Sequence, residues 1–165
     1  MKLSFVAALV ALLLSPMANA QTRELSFAPY VGYNLDTENA VVGIGLDADL
    51  VDIGPFRLAT WGDIETQFVS GGSNIQLDLN ITPYYEFDKI EIAVGVGFAF
   101  ERQSFEISPD TSFSETGFNT IIAAKYNGGF FNPFFRFRCS FFDGFDSDFR
   151  NDTLFGGFAI PILTY

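Results

Sequence analysis

The stretch Asn74 to Phe87 alternates without a break. Ile75, Leu77, Leu79, Ile81, Pro83, Tyr85 and Phe87 take the odd positions, with Asn74, Gln76, Asp78, Asn80, Thr82, Tyr84 and Glu86 between them. An apolar period of two held this long belongs to a strand, because successive strand side chains point to opposite faces. The same pattern recurs along the chain and predicts eight strands, over 25–35, 40–50, 56–68, 74–87, 90–100, 118–126, 131–141 and 153–165. No helix-period segment follows residue 20, and no repeat or linker divides the chain. The expected connections are Asp36–Asn39, Val51–Pro55, Val69–Ser73, Asp88-Lys89, Glu101–Gly117, Asn127–Phe130 and Phe142–Asp152. The first, third, fifth and seventh include the longest, and the others are tight, one of them an Asn-Gly-Gly turn.

The N-terminus reads differently. Met1-Lys2 precedes the apolar run Leu3 to Leu14, a Ser-Pro-Met break and Ala18-Asn19-Ala20. That order predicts a cleaved secretory signal peptide over 1–20, and the run is too short for a membrane-spanning helix. Gln21 rather than Cys follows the expected cut, so no lipid anchor is expected there. The mature domain is 21–165. Setting Lys2 aside leaves eight Lys and Arg against twenty Asp and Glu, a net charge of −12. With no basic stripe, nucleic acid is excluded as a partner. Cys139 is alone, so no intrachain disulfide forms, and the chain has no histidine, the commonest general base and metal ligand.

Alternation leaves open which face points inward, since a soluble lipocalin-like barrel alternates too. Three features favour lipid outside. The polar face mixes both charge signs with Gly and Ala, as the crowded interior of a narrow barrel would. Aromatics cluster near both ends of the apolar face: Phe27, Phe56, Tyr85, Phe87, Tyr126, Phe131 and Tyr165 at the turn end, and Tyr33, Phe68, Phe98, Phe100, Phe118, Phe141 and Phe155 at the loop end. Paired aromatic girdles mark a lipid-facing surface. Strands of about 11 residues at about 3.3 Å, tilted near 45°, rise roughly 25 Å, the height of such a barrel's apolar band. The expected fold is therefore all-β, an eight-stranded antiparallel up-and-down transmembrane β-barrel in the cell outer membrane. Its last strand, apolar on both faces, pairs with the first to remove both edges.

This organisation resembles the small eight-stranded outer-membrane barrels of the OmpA and OmpX type over the whole mature chain, by pattern and not by a diagnostic motif. The resemblance implies outer-membrane lipid and lipopolysaccharide as surroundings, and a C-terminal aromatic strand read by the barrel-assembly machinery. Here the final residue is Tyr165 where Phe is more usual, and Pro161 interrupts the strand. Related barrels that modify lipid A rely on a His-containing site, which this sequence lacks, so no catalytic residue, metal ligand or cofactor is assigned.

The expected role is structural or surface-interacting, as a monomer, without chemistry. The alternatives are a small-solute pore or transporter, a lipid-modifying enzyme, or a soluble lipocalin-like binding barrel. An eight-stranded lumen is too narrow for a porin-like channel. Its charges must pair, because unpaired buried charge costs several kcal/mol. Folding the hairpins in register sets Arg57 opposite Asp49, Glu91 opposite Lys125, and Glu65 opposite Asp78, a like-charge pair that needs a cation. Arg136 and Arg138 are expected to cross the lumen to Asp47, Asp63, Glu65 and Asp78 as a closed polar plug. Glu65 and Asp78 read as structural rather than as an acid–base pair, and Cys139 as an apolar filler on the lipid face. The acidic loop 143–152 reads as solvated rather than calcium-binding, and Phe105, Ile107 and Phe113 are expected to pack on the rim or on a partner.

Overall fold

A computed structural model describes residues 23–53, 55–69, 72–105, 112–142 and 150–164. The expected signal peptide, Tyr165, Ile107 and most of the 143–152 loop lie outside them, as do the side chains of Phe105 and Phe113.

All eight expected strands are present: β1 Glu24–Asn34, β2 Asn39–Ile53, β3 Phe56–Val69, β4 Gly72–Phe87, β5 Ile90–Phe105, β6 Ser112–Tyr126, β7 Asn132–Phe142 and β8 Arg150–Thr164. Each pairs antiparallel with its sequence neighbour, and β8 pairs with β1, closing the barrel. Closure satisfies the backbone of both end strands, which is what lipid surroundings require.

Several strands run further than the alternation indicated. Residues of the stretch expected as loop, Glu101 to Ser104 and Ser112 to Glu115, pair with each other, and the ladder runs as far as Ser104 and Ser112. Apolar patterning marks only the lipid-facing part of a strand, whereas the backbone ladder continues past the membrane into water. β2 likewise continues to Ile53, beyond its expected end.

Two irregularities occur at the turn end. Leu50 is bulged between the pairs Asp49–Ala59 and Val51–Leu58, and the resulting change of face sets Asp52 opposite Arg57. In β8 the ladder continues through Pro161, opposite Ser26, and Ile162 is the extra residue before Leu163 meets Leu25. Pro161 therefore sits beside a bulge instead of ending the strand, a place where its missing N–H is tolerated. The turn between β6 and β7 holds Gly129 at φ 128°, a region that favours glycine, and Asn132 Oδ1 accepts from the Gly128 and Gly129 N–H groups.

The alternation resolves as polar inside and apolar outside. In β4 Asn74, Gln76, Asp78, Asn80, Thr82 and Tyr84 are buried, while Ile75, Leu77, Ile81, Tyr85 and Phe87 are exposed. Both girdles are outward: Phe56, Tyr85, Phe87, Tyr126 and Phe131 at the turn end, and Tyr33, Phe68, Phe98, Phe100 and Phe118 at the loop end. Phe155 is a correction. It was expected on the apolar face, but it points into the lumen and is 1% exposed. The β8 residues around it are apolar on both faces, so alternation could not assign its side. Pairing does: Phe155 lies opposite the inward Arg136 and is flanked by the outward Leu154.

Close strand approach depends on the inward glycines. A Cβ at Gly97 would strike the Leu79 carbonyl oxygen and lie 2.8 Å from the Asn80 Cα, both backbone atoms that cannot move aside cheaply. Gly97→Ala is therefore expected to weaken the β4–β5 seam. The check is the urea midpoint of the refolded barrel, expected to fall by an amount corresponding to about 1–3 kcal/mol.

Candidate functional site

The lumen gathers the side chains with chemical potential, in three tiers. At mid-height Arg136 and Arg138, alternate residues of β7, are both 0% exposed. Arg136 Nη1 donates to Asp63 Oδ2 at 2.9 Å. Arg138 grips Glu65 with two bonds, Nη2 to Oε1 at 2.6 Å and Nη1 to Oε2 at 3.0 Å, and its Nη1 also donates to Asp78 Oδ2. The Tyr30 hydroxyl lies between Asp63 Oδ1 at 2.9 Å and Glu65 Oε2 at 3.1 Å. Asp78 accepts from Gln76 Nε2 at 3.0 Å and Asn119 Nδ2 at 2.7 Å. This joins β1, β3, β4, β6 and β7 across the bore.

The expected crossing of Arg136 and Arg138 to Asp63, Glu65 and Asp78 is thus present. Asp47 is a correction: Lys125 Nζ holds it at 3.3 Å. It lies nearer the turn end of β2, and the Trp61 ring, its register partner on β3, stacks against Arg136 there. The β3–β4 register is a second correction. Glu65 lies opposite Gln76, and the directly opposed acids are Asp63 and Asp78. The connection is shorter than expected, so the pairing slides by two residues; an even slide keeps every side chain on its face. The like-charge pairing does require a cation, and Arg138 is that cation. Asp63, Glu65 and Asp78 each offer an oxygen within 4.8 Å of the others, a spacing that suits a metal ion. Their oxygens are engaged by the two guanidiniums, Tyr30 and the amides, so those groups do a metal's electrostatic work here.

Toward the turn end a second network forms. Lys125 bridges Asp47 and Glu91, the latter at 2.9 Å, and lies over the Tyr84 ring. Arg57 reaches Glu91 at 3.2 Å and Asp49 and Asp52 at 3.6 Å. Glu91 and Lys125 are register partners as expected, and Arg57 keeps its ion pair with Asp49 although its register partner is Asp52. Toward the loop end amides dominate. Asn34 Nδ2 donates to Asn151 Oδ1 and, at 3.3 Å, to Gln67 Oε1, and Asn74 Nδ2 donates to Glu101 at 2.5 Å.

Alternation alone does not reveal the aromatic half of the plug. Tyr30, Trp61, Phe134 and Phe155 form one buried cluster inside the barrel. The Arg136 guanidinium lies 4.6 Å from the Trp61 ring centre, 4.8 Å from Phe155 and 5.2 Å from Tyr30. Ring faces thereby cover the part of the cation that carboxylates leave bare. Glycines make the room: Gly43 and Gly157 are the register partners of Tyr30, and a Cβ on Gly43 would enter its ring. The available signal was an aromatic at inward parity opposite a glycine; Tyr30 shows it, whereas Phe155, although it faces Gly32, lies in a segment apolar on both faces whose parity alternation does not reveal. Cys139 is outward and half-buried, in register with Asp152.

No protein-family model matches the sequence, and no curated relative does. Solved structures match its shape. Ail, the attachment invasion locus protein of Yersinia pestis, superposes with a TM-score of 0.61 at 13% identity over 86% of this chain and 97% of its own. The N-terminal β-barrel domain of Pseudomonas aeruginosa OprF gives 0.58 at 12% identity over 85% and 100%. The outer membrane enzyme PagL gives 0.55 at 14% identity over 83% and 99%. The fold is that of the small eight-stranded transmembrane barrels of the outer-membrane type. The belt of exposed Val, Ile, Leu, Phe and Tyr agrees, since that surface is stable only against lipid.

Proposed function

We propose that this chain is a closed structural and surface-presenting barrel of the outer membrane, acting as a monomer without catalysis or solute passage. The observation that carries this reading is the mid-lumen plug. Arg136 and Arg138 are fully buried and tied to acids on the facing strands, so paired side chains occupy the bore at mid-height, which supports a closed lumen. The reading includes cleavage after Ala20, a mature domain of 21–165, and outer-membrane lipid, lipopolysaccharide and the assembly machinery as partners. PagL demonstrates that this fold supports an enzyme elsewhere. In this chain no histidine is available as a base, and the central carboxylates are neutralised by arginine.

Planar-bilayer recording tests the closed lumen. The refolded mature chain is expected to give no stable open level, and a reproducible ohmic conductance would mean a pore. Lipid A mass spectra from cells overexpressing the chain are expected to match the control; a new or shortened acyl species would mean an enzyme.

A further inference from the structure

The eight cations of the described residues fall into distinct groups. Arg57, Lys125, Arg136, Arg138 and Arg150 are in ion pairs, and Arg23 is buried. Lys89 and Arg102 remain, exposed, with no side-chain ion pair or hydrogen bond among the described residues. They lie at the two ends of β5, Lys89 in the turn before it and Arg102 three residues from its end. Thirteen positions separate them. At about 3.3 Å per residue and a tilt near 45°, that is roughly 30 Å along the membrane normal. The hydrocarbon of a bilayer is about 30 Å thick, so one cation stands at each headgroup level.

The surroundings of Arg102 are the more specific. It belongs to the outward file of β5, directly after the lipid-facing Phe98 and Phe100. Its register partners are Ile75 on β4 and Ser114 on β6, both exposed. One row toward the membrane are Leu77, Phe100 and Thr116; one row away from it Ser73 faces Ser104. The surface thus passes from apolar to hydroxyl within two rows, and a guanidinium with no partner among the described residues stands at the crossing. In a chain of net charge −11, a cation there with no partner among the described residues is complementary to an anionic group held at a fixed depth.

The geometry points to a headgroup site on the outer wall of β4, β5 and β6, where Arg102 receives a phosphate of an anionic membrane lipid. Ser104 and Ser114 stand beside it to donate hydroxyl hydrogen bonds. A guanidinium suits this task because its planar fork of donors binds phosphate bidentately. The acyl chains continue down the Ile75, Leu77, Phe98 and Phe100 surface. This inference rests on the membrane reading above.

The test is native mass spectrometry of the folded mature chain in micelles titrated with diphosphoryl lipid A. The wild type is expected to retain a lipid adduct, and Arg102→Gln is expected to lower its apparent affinity about fivefold, the effect of one cation near an anionic surface. Ser104→Ala with Ser114→Ala is expected to lower it less, and it serves as the second variant if Arg102→Gln does not fold. Unchanged affinity in both variants overturns the site. Equal losses for Lys89→Gln and Arg102→Gln also overturn it, since the effect is then charge without a site. Displacement by inorganic phosphate at matched phosphate concentration overturns the lipid as the source. A heat-shifted gel band for each variant verifies the closed barrel; a wild-type chain that stays folded in buffer without detergent would instead sink the membrane reading itself.

Discussion

Replacing Arg136 and Arg138 together with alanine is expected to collapse the stability of the barrel. Each guanidinium is fully buried, and together they hold Asp63, Glu65 and Asp78, whose oxygens lie within 4.8 Å of one another. Their removal leaves three buried carboxylates without the counter-charge that the guanidiniums supply. Breaking one buried pair by deleting a single partner costs about 3–5 kcal/mol, because the surviving charge stays desolvated. Two such deletions in one network would consume much of the 5–15 kcal/mol that typically holds a domain folded. The measurement is the urea midpoint in lipid vesicles, with heat-modifiability on a gel beside it. A midpoint equal to the wild type would show that the plug carries no stability. A companion variant separates charge from packing: adding Asp63→Asn, Glu65→Gln and Asp78→Asn to the double mutant is expected to recover part of the loss. No recovery would mean that the lost arginine volume, not the orphaned charge, was responsible.

Trp61→Ala is expected to be nearly as damaging, for a different physical reason. The indole is 2% exposed, meets Phe134 edge-on at a centroid distance of 5.1 Å, and covers one face of the Arg136 guanidinium. Truncation leaves a cavity inside a closed wall that cannot relax inward, and it uncovers a buried cation. Large aromatic deletions in packed cores cost about 3–5 kcal/mol. Trp61→Phe keeps a ring face and is expected to cost clearly less, so the ratio of the two losses measures the stacking role. Since this is the only tryptophan of the chain, its fluorescence also reports on the wild type: emission is expected at short wavelength in the folded barrel and to shift red in urea. An unshifted spectrum on unfolding would place Trp61 in water from the start.

Both effects arise from residues whose legibility in the sequence was unequal. The strands, their order and the lipid-facing surface follow from one local rule, that neighbouring strand side chains point oppositely. That rule needs no knowledge of which strand lies beside which, so β4 could be read from its fourteen-residue alternation, with the polar set correctly inside. The arginine crossing was legible as well, because charges on the inner face of a narrow barrel have only each other as partners. The rule failed where the chain is apolar on both faces. Phe155 has apolar neighbours on either side, so alternation does not assign its face, and it packs on Tyr30 and Arg136 in the lumen instead of facing lipid.

Three things were decided only by the folded barrel. The β3–β4 register depends on how many residues the turn consumes, so Asp63 rather than Glu65 faces Asp78. The ion-pair partners depend on height across the bore as well as on face, so Asp47 goes to Lys125 and the two arginines take the other three acids. The aromatic cage depends on which glycine stands opposite which ring, a relation that includes the closing pair of β1 and β8, far apart in sequence. Alternation is a property of single strands and survives in the sequence. Register, height and curvature are properties of strand pairs around a closed ring, and only closure determines them.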